Sequence, residues 1–281
     1  MKKETQGAIK HRAIPGPALH HVTVMPEKPQ AILGVLHGYA DYGERYLHVM
    51  NAWADMGIGS IALDMRGHGH AEGPRGYCDR FDEFLDDATE LLRLTSDAAE
   101  QAKAPQFLFG HSFGGLVAAS RVLRDAGSVR ALLLSAPFFE LAIKVPFAKL
   151  TAAKVASRVY PKLALPTGLQ GKDLTHDAVI AAKYDADPLV FKKATSRWFV
   201  ETTKAQERAL VDAPRLQMPL YMLIGTGDVV ASPSGGRRFY ERAGSKDKKL
   251  DERDGMFHEV LNEPEWPAMA QAMGEWLLAR C

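Results

Sequence analysis

The chain has little cysteine, no long apolar run and no excess of either charge. Its 281 residues include only Cys78 and Cys281, which are too few for a disulfide framework and lack the spacing of a metal site. We therefore expect two free thiols and no bound metal. Lys and Arg total 35 against 34 Asp and Glu, a formal net charge of +1. Because no dense block of like charge recurs, nucleic acid is not an expected partner.

The sequence also lacks the segments that direct a chain into or across a membrane. No run approaches the roughly 18–20 apolar residues that a spanning helix needs. The polar start, residues 1–7, has no apolar signal region. We therefore expect a cytoplasmic protein. With 46% hydrophobic residues, the chain can bury a large core as one α/β domain that carries an insertion.

What the chain does contain is a series of short apolar runs that alternate with helical patterns. This alternation predicts a largely parallel sheet covered by helices on both faces. The predicted strands are 19–24, 31–36, 58–63, 106–109, 131–134, 220–224 and 249–251. Helical spacing predicts covering helices at 81–95 and after Pro264. We expect the acidic residues of the first helix to be solvated, namely Asp82, Glu83, Asp86, Asp87 and Glu90.

From residue 137 to residue 216 the alternation stops, and helical patterns with Pro and Gly punctuation replace the buried strands. We predict a helical cap at 137–216, inserted into a core made of 1–136 and 217–281. Four apolar residues early in the cap, Phe138, Phe139, Ile143 and Phe147, either line an acyl pocket or pack the cap against the core. The sequence leaves both roles open. The same apolar segment predicts weak peripheral membrane contact through the cap.

One short motif lies where the fourth apolar run turns into a helix. The residues Gly110-His111-Ser112-Phe113-Gly114 fit the pattern G-x-S-x-G, which is typical of a nucleophile elbow. The small residues permit a sharp turn that lifts the hydroxyl of Ser112 clear of the backbone. The alternative is a glycine-rich turn in which Ser112 only caps the helix.

A serine hydroxyl needs a neutral imidazole to accept its proton and a carboxylate to orient that imidazole. In this strand-turn-helix setting the chain order is serine, acid, histidine. Asp228 follows the strand at 220–224, and His258 follows the last predicted strand. The alternatives are an ordinary turn carboxylate and a loop histidine. Of the other histidines, His176 lies in the cap, and His111 is expected to point away from the cleft.

Acyl transfer also develops an oxyanion, which backbone N–H groups must meet. We expect one donor to be the N–H of Phe113, directly after the serine. The second is expected from Tyr39, in the turn His37-Gly38-Tyr39 that follows the strand at 31–36. We expect the side chain of His37 to brace this turn by hydrogen bonds and not to act as a base.

Taken together, these motifs resemble those of the α/β-hydrolases of the monoacylglycerol lipase and lysophospholipase group. The resemblance covers nearly the whole chain, and four further motifs carry it: Gly43-Glu44-Arg45-Tyr46, Asp64-Met65-Arg66-Gly67-His68-Gly69, Gly225-Thr226-Gly227-Asp228 and His258-Glu259. Two departures lie near the pocket mouth. Tyr39 is bulkier than the residue common at that turn, and Asp41-Tyr42 replaces a Glu-His pair.

The resemblance implies Ser112 as nucleophile, His258 as general base and then acid, and Asp228 as its orienting partner. It implies a small-molecule lipid ester as substrate and no metal or cofactor. Thioester or amide hydrolysis stays open, as does a slow-turnover binding protein on the same fold. Dehalogenation and epoxide opening are disfavoured, because they need a carboxylate where this chain has Ser112. The sequence specifies neither acyl length, head group nor oligomeric state.

Overall fold

The fold is built around a mostly parallel sheet, as the alternating pattern predicts. The computed structural model describes residues 2–9, 16–143 and 146–281. Within them the strands are Lys3–Ile9 (β1), Leu19–Met25 (β2), Ala31–Leu36 (β3), Ile58–Asp64 (β4), Gln106–His111 (β5), Val129–Ser135 (β6), Ala164–Pro166 (β7), Lys193–Thr195 (β8), Leu220–Gly225 (β9) and Lys248–Arg253 (β10). The main sheet has the order β1-β2-β4-β3-β5-β6-β9-β10. Strands β3, β4, β5, β6, β9 and β10 are parallel, and β1 and β2 join antiparallel.

Helices cover both faces of this sheet. The helices in the described residues, including those of the segment predicted as a cap, are Leu47–Asp55 (α1), Asp82–Ala102 (α2), Ser112–Arg124 (α3), Phe147–Val159 (α4), Ala178–Ala186 (α5), Ser196–Asp212 (α6), Pro233–Arg242 (α7) and Trp266–Leu278 (α8). Successive strand side chains point to opposite faces. Accordingly, Leu108 of β5 joins the core formed by α2 and α3, while Phe107 and Phe109 join the core formed by α1 and α8.

Two details differ from the sequence predictions. The edge strand β1 was not predicted, because its segment is mostly polar and exposed and lacks a buried alternating face. The expectation that every acidic residue of α2 is solvated is wrong for Asp87 and Glu90, which are buried. Asp87 accepts hydrogen bonds from Arg66, whose Nη2 lies 2.6 Å from Asp87 Oδ1. An acidic side chain on a helix can therefore be buried when an arginine forms an ion pair with it.

The segment predicted as a cap contains α4, α5, α6 and the two short strands β7 and β8, which pair with each other and not with the main sheet. Helix α6 packs on both α3 and α4, so it joins this segment to the helix that follows β5. In the described residues, no helix is long and apolar enough to cross a bilayer. Cys78 and Cys281 are both free thiols, as expected.

The three predicted catalytic residues and His37, predicted to brace the neighbouring turn, follow strands at one edge of the sheet. His37 follows β3, Ser112 follows β5, Asp228 follows β9 and His258 follows β10. Because parallel strands end at the same edge, four segments far apart in sequence meet there.

Candidate active site

Ser112 lies at the tip of the turn between β5 and α3 with a left-handed backbone, φ +51°. A non-glycine residue in this region is strained, and such strain is typical of functional turns. The flanking glycines make the turn possible. A Cβ at Gly110 would lie 2.4 Å from the carbonyl oxygen of Gly114, and one at Gly114 would lie 2.3 Å from the carbonyl oxygens of Leu36 and His37. Only glycine fits either position.

The structure brings Ser112, His258 and Asp228 into one chain of hydrogen bonds. His258 Nε2 is 2.8 Å from Ser112 Oγ, and His258 Nδ1 is 2.7 Å from Asp228 Oδ2. The carboxylate only accepts, so Nδ1 carries the proton and Nε2 is left to accept from the hydroxyl of Ser112. The other oxygen of Asp228 accepts from the backbone N–H groups of Val230 and Ala231 at 2.7 and 2.9 Å. The carboxylate is thereby held in place.

The electrostatics of this chain favour a basic imidazole. All three side chains are buried. Burial alone would lower the pKa of His258, but the charge and the hydrogen bond of Asp228 outweigh it, so that the pKa is raised above 6.5. His111, the neighbouring histidine, has no such partner. Burial and the nearby His258 lower the pKa of His111 to about 3, so it stays neutral while His258 titrates.

The turn after β3 lies directly beside the serine. A Cβ added to Gly38 would be 3.4 Å from Ser112 Cβ, so the turn packs against the serine at the start of α3. The first N–H groups of a helix have no partner within the helix, and Phe113 is in that first turn. His37 braces the turn as expected. Its Nε2 accepts from the N–H of Met65 at 3.0 Å, and its Nδ1–H donates to the carbonyl of Gly38 at 2.7 Å.

The side chain of Tyr39 reaches from this turn to the segment predicted as a cap. Its ring centroid lies 3.8 Å from that of Trp198 on α6 and 5.2 Å from that of Phe191. Its hydroxyl donates to the carbonyl of Lys193 at 2.8 Å. The unusual size of residue 39 therefore has a structural consequence: the turn that carries one expected oxyanion donor is tied directly to the cap.

A buried charge network beneath the site was not foreseen from the sequence. The Arg45 guanidinium donates to Asp41 at 2.8 Å and to both oxygens of Glu259 at 2.8 and 2.9 Å. Asp41 also accepts from Tyr46 and from the backbone of Tyr42. Burial would raise the pKa of Asp41, but Arg45 and nearby histidines hold it down at about 2. Arg45 thus links the turn at 37–41 to the residue after His258.

Both ends of this network belong to motifs visible in the sequence, Gly43-Glu44-Arg45-Tyr46 and His258-Glu259. Their pairing was not visible, because Arg45 and Glu259 are 214 positions apart. The only available signal was that Arg45 and Glu259 carry opposite charges and that the sequence analysis gave neither residue a chemical role.

A second set of hydrogen bonds ties the His258 loop to the cap. Glu263 accepts from the N–H of Phe257 at 2.7 Å and from the N–H of His176 at 2.8 Å. The N–H of Glu259 donates to the carbonyl of Leu174 at 2.8 Å. His176 directly precedes Asp177, the N-cap of α5, and contacts Glu263 through Nδ1 at 3.0 Å. These hydrogen bonds therefore link the loop that carries His258 to residues 174–176 of the segment predicted as a cap.

The four apolar residues predicted at a pocket or packing surface lie in different environments. Phe138 is buried, and its N–H donates to the carbonyl of Ser112 at 2.9 Å. Phe139 stacks on Phe239 of α7 at 3.9 Å, which is a packing contact in the core. Ile143 is 68% exposed. The side chain of Phe147 lies outside the described residues.

No group of three or more His, Cys, Asp and Glu side chains within residues 2–9, 16–143 and 146–281 has an arrangement suited to a metal ion.

The strand order, the antiparallel first two strands and a serine at the turn after β5 define an α/β-hydrolase fold. The chain belongs to the serine aminopeptidase S33 family, whose model matches residues 27–265.

Individual relatives are described as lipid hydrolases. The chain is 29% identical to the phospholipase YtpA of Bacillus subtilis, over 85% of this chain and 92% of that protein. It superposes on the monoacylglycerol lipase of Paleococcus ferrophilus with a TM-score of 0.82 and 29% identity, over 94% of this chain and 99% of the other. It also matches an uncharacterized abhydrolase domain-containing protein of Dictyostelium discoideum at 29% identity, but spans only 27% of that protein's length.

Proposed function

We propose that this protein is a serine hydrolase that cleaves carboxylic esters of lipids, with a monoacylglycerol or lysophospholipid as substrate. The observation that carries the proposal is the hydrogen-bonded chain from Ser112 through His258 to Asp228. The relatives described as a phospholipase and a monoacylglycerol lipase support the choice of a lipid ester.

In the proposed cycle, Ser112 Oγ attacks the ester carbonyl while His258 Nε2 takes its proton. The N–H groups of Tyr39 and Phe113 receive the oxyanion, and each such donor contributes about 3–4 kcal/mol in comparable enzymes. His258 then protonates the leaving alcohol oxygen as the carbon–oxygen bond breaks, which leaves an acyl group on Ser112. Water attacks this ester, His258 takes the water's proton, and the serine leaves with that proton as the fatty acid departs.

Asp228 keeps one tautomer of His258 and stabilises the imidazolium that forms twice in the cycle. The raised pKa of His258 supports this assignment, because a more basic imidazole accepts the serine proton more readily.

Amide hydrolysis and thioester hydrolysis would use the same mechanism, so the preference for esters is tested against both. The family description names an aminopeptidase, and thioesters would use the same residues. We expect the highest kcat/KM on a panel of monoacylglycerols and lysophospholipids, and lower values on acyl-CoA thioesters and aminoacyl amides. A higher value on amides or thioesters would contradict the ester assignment.

The nucleophile is tested by labelling. A fluorophosphonate should add one adduct to the folded wild type, and Ser112→Ala should take up none. Ser234→Ala, a change at an exposed serine, should label normally. Labelling without multiple turnovers of a short p-nitrophenyl ester would instead indicate a slow-turnover binding protein.

The remaining sequence expectations are part of the same proposal. Residues 137–216 are proposed as a cap over a core of 1–136 and 217–281, and weak peripheral membrane contact is proposed for that cap. A cytoplasmic location and the absence of nucleic acid partners stay predictions from composition. The buried environment of Phe138 beside Ser112 makes it the strongest of the four pocket candidates.

A further inference from the structure

A groove between α2, α3 and α6 is separate from the candidate active site. Its volume is about 450 Å³, which is in the usual range of sites for small molecules. None of Ser112, Asp228, His258 and Tyr39 is among the residues that line it. The catalytic arrangement therefore does not account for this groove.

The floor of the groove is apolar. It is lined by Phe81, directly before α2, by Leu85 of α2, by Leu123 of α3, and by Ala205 and Ala209 of α6. All five belong to the hydrophobic core on this side of the sheet. Because they form the outer edge of that core, an alkyl chain laid on them would remove apolar surface from water, which favours binding.

The rim of the groove carries an excess of positive charge, although the whole chain is nearly neutral. Five cationic side chains line the groove, against only three carboxylates. Two of the carboxylates pair with one cation each. The third, Asp212, is shared by Arg208 at 3.7 Å and Arg215 at 3.6 Å. Arg80 forms no ion pair within the described residues. Two positive charges are therefore left without a carboxylate of their own.

These cations are accessible to an anion from outside the molecule. The side chains of Arg208 and Arg215 are 81% and 65% exposed, and Arg80 is also exposed. Exposed ion pairs contribute little to stability, so the fold does not depend on how these side chains are paired. An apolar floor below a rim with excess positive charge fits an amphiphilic anion, that is, an alkyl chain that ends in a carboxylate.

The walls of the groove also contact the two residues whose N–H groups receive the oxyanion in the proposed cycle. The ring centroid of Phe81 lies 6.0 Å from that of Phe113, edge to face. Helix α6 carries Trp198, whose ring centroid lies 3.8 Å from that of Tyr39 and 5.3 Å from that of Phe113. A ligand held between Phe81 and α6 therefore touches both elements that pack on these residues.

We propose that this groove binds a fatty acid and that its occupation slows ester hydrolysis at Ser112. The alkyl chain lies on the apolar floor, and the carboxylate pairs with the excess cations of the rim. The chain separates α6 from α2, so that Trp198 and the turn of Tyr39 shift and the oxyanion donors lose their alignment. The inhibition rests on the proposed function, whose product is a fatty acid, whereas the binding of the ligand does not.

The location of the ligand is tested by photochemical labelling of the full chain with a dodecanoate that carries a diazirine on its alkyl chain. Mass spectrometry should find adducts in residues 81–93 and 205–215, which contain floor residues of the groove. Unlabelled dodecanoate should remove these adducts. Dodecanol and inorganic phosphate should not, because the first lacks the charge and the second lacks the chain. Added salt should weaken the labelling as the charges are screened.

The charges are tested by reversing two cations of the rim. Arg80→Glu with Arg208→Glu should weaken the labelling by about tenfold, since each exposed ion pair contributes up to about fivefold. Lys28→Glu with Lys246→Glu is the matched control, because it makes the same change in net charge at two exposed positions that do not line the groove. The control should be labelled like the wild type.

The apolar part is tested by filling the groove. Ser120 of α3 is half-buried and lines the groove, so Ser120→Trp should occupy the space of the alkyl chain and abolish the labelling. Ser234→Trp, on the exposed surface of α7, should not change it.

The inhibition is tested with a soluble short-chain p-nitrophenyl ester as substrate. Dodecanoate that only competes at Ser112 raises KM and leaves kcat unchanged, so the effect of the groove is measured by kcat. Saturating dodecanoate should lower the kcat of the wild type by at least about fivefold. Ser120→Trp should lose this decrease, whereas Ser234→Trp should keep it.

Three results would overturn the fatty-acid site: adducts found only outside the groove, equal competition by dodecanol, or equal labelling of the two charge-reversal variants. An unchanged kcat with dodecanoate bound in the groove would overturn the inhibitory role. If the wild type hydrolyses no ester, the proposed function fails, and with it the inhibition. The labelling still decides whether the groove binds a fatty acid, so the two failures are distinguishable.

Discussion

The charges around the candidate site and the charges on α4 are arranged in opposite ways. Beneath the site, Asp41, Arg45 and Glu259 are buried or nearly so, and each is paired. On α4, Lys154 and Arg158 are exposed beside exposed valines. Ion pairs inside the molecule determine the first arrangement. Within the described residues, neither Lys154 nor Arg158 forms an ion pair, so such contacts do not determine the second.

The largest expected effect is at the carboxylate of the hydrogen-bonded chain. Asp228→Asn should lower kcat by about 10⁴-fold, because an amide favours the wrong imidazole tautomer. It should also shift the acid limb of the kcat/KM profile. In the wild type this limb lies above pH 6.5, because His258 must be neutral to act as base and its pKa is raised. Without the carboxylate, burial dominates and the limb should move to lower pH.

Asp254→Asn is the control for that change, because Asp254 lies in the nearby loop and, among the described residues, its carboxylate accepts only from the Thr226 hydroxyl at 3.0 Å. Its activity and pH profile should match the wild type. An unchanged acid limb in Asp228→Asn would remove His258 from the role of base.

The next largest effect is on stability. Arg45→Met leaves two buried carboxylates without their cation, so the free energy of unfolding should fall by about 3–5 kcal/mol. Arg237→Met removes an arginine from the ion pair with Glu252, in which both side chains are more than one-third exposed. It should therefore cost less than about 1 kcal/mol. Urea unfolding of the two variants measures the difference, and equal losses would contradict the distinction between the two environments.

Acid should weaken the fold through buried neutral histidines. Burial lowers the pKa of His68 and of His111 to about 3. When the pKa of a histidine is lower in the folded than in the unfolded state, the histidine favours the folded state at pH values above the unfolded pKa. This contribution to stability is lost as the pH falls from about 6.5 towards 3. Each should account for about 2 kcal/mol by pH 5. His68→Phe, among the rings of Phe84, Phe113 and Phe191, should flatten the dependence. An unchanged slope would contradict it.

Sequence patterns anticipate the parts of the fold that depend on local burial. The runs at 31–36 and 220–224 are buried at every residue, so composition alone identifies them as strands. Segment 3–9 carries no such signal, since its main requirement is the backbone pairing with β2. The G-x-S-x-G turn is local and visible. The Arg45–Glu259 pair joins distant segments, and only the folded topology brings it together.

The cap illustrates the same limit at the level of side chains. Apolar composition at 138–147 fits both a pocket and a packing surface. In the structure Phe139 packs on Phe239, whereas Ile143 is exposed. Neighbouring apolar residues thus have different environments, because the irregular chain between β6 and α4 directs their side chains differently. Charge bias at 141–172 is readable from the sequence, but its meaning depends on which residues α6 covers.

The smallest expected effect separates the buried core from the exposed side of α4 most directly. Val35→Ala, in the fully buried β3, should lower the free energy of unfolding by about 2 kcal/mol, through lost burial and the cavity left behind. Val155→Ala, at a 58% exposed position on α4, should change it by less than about 0.5 kcal/mol. Urea unfolding measures both. A large loss in Val155→Ala would mean that the valine packs within the molecule and that its exposure needs no external partner.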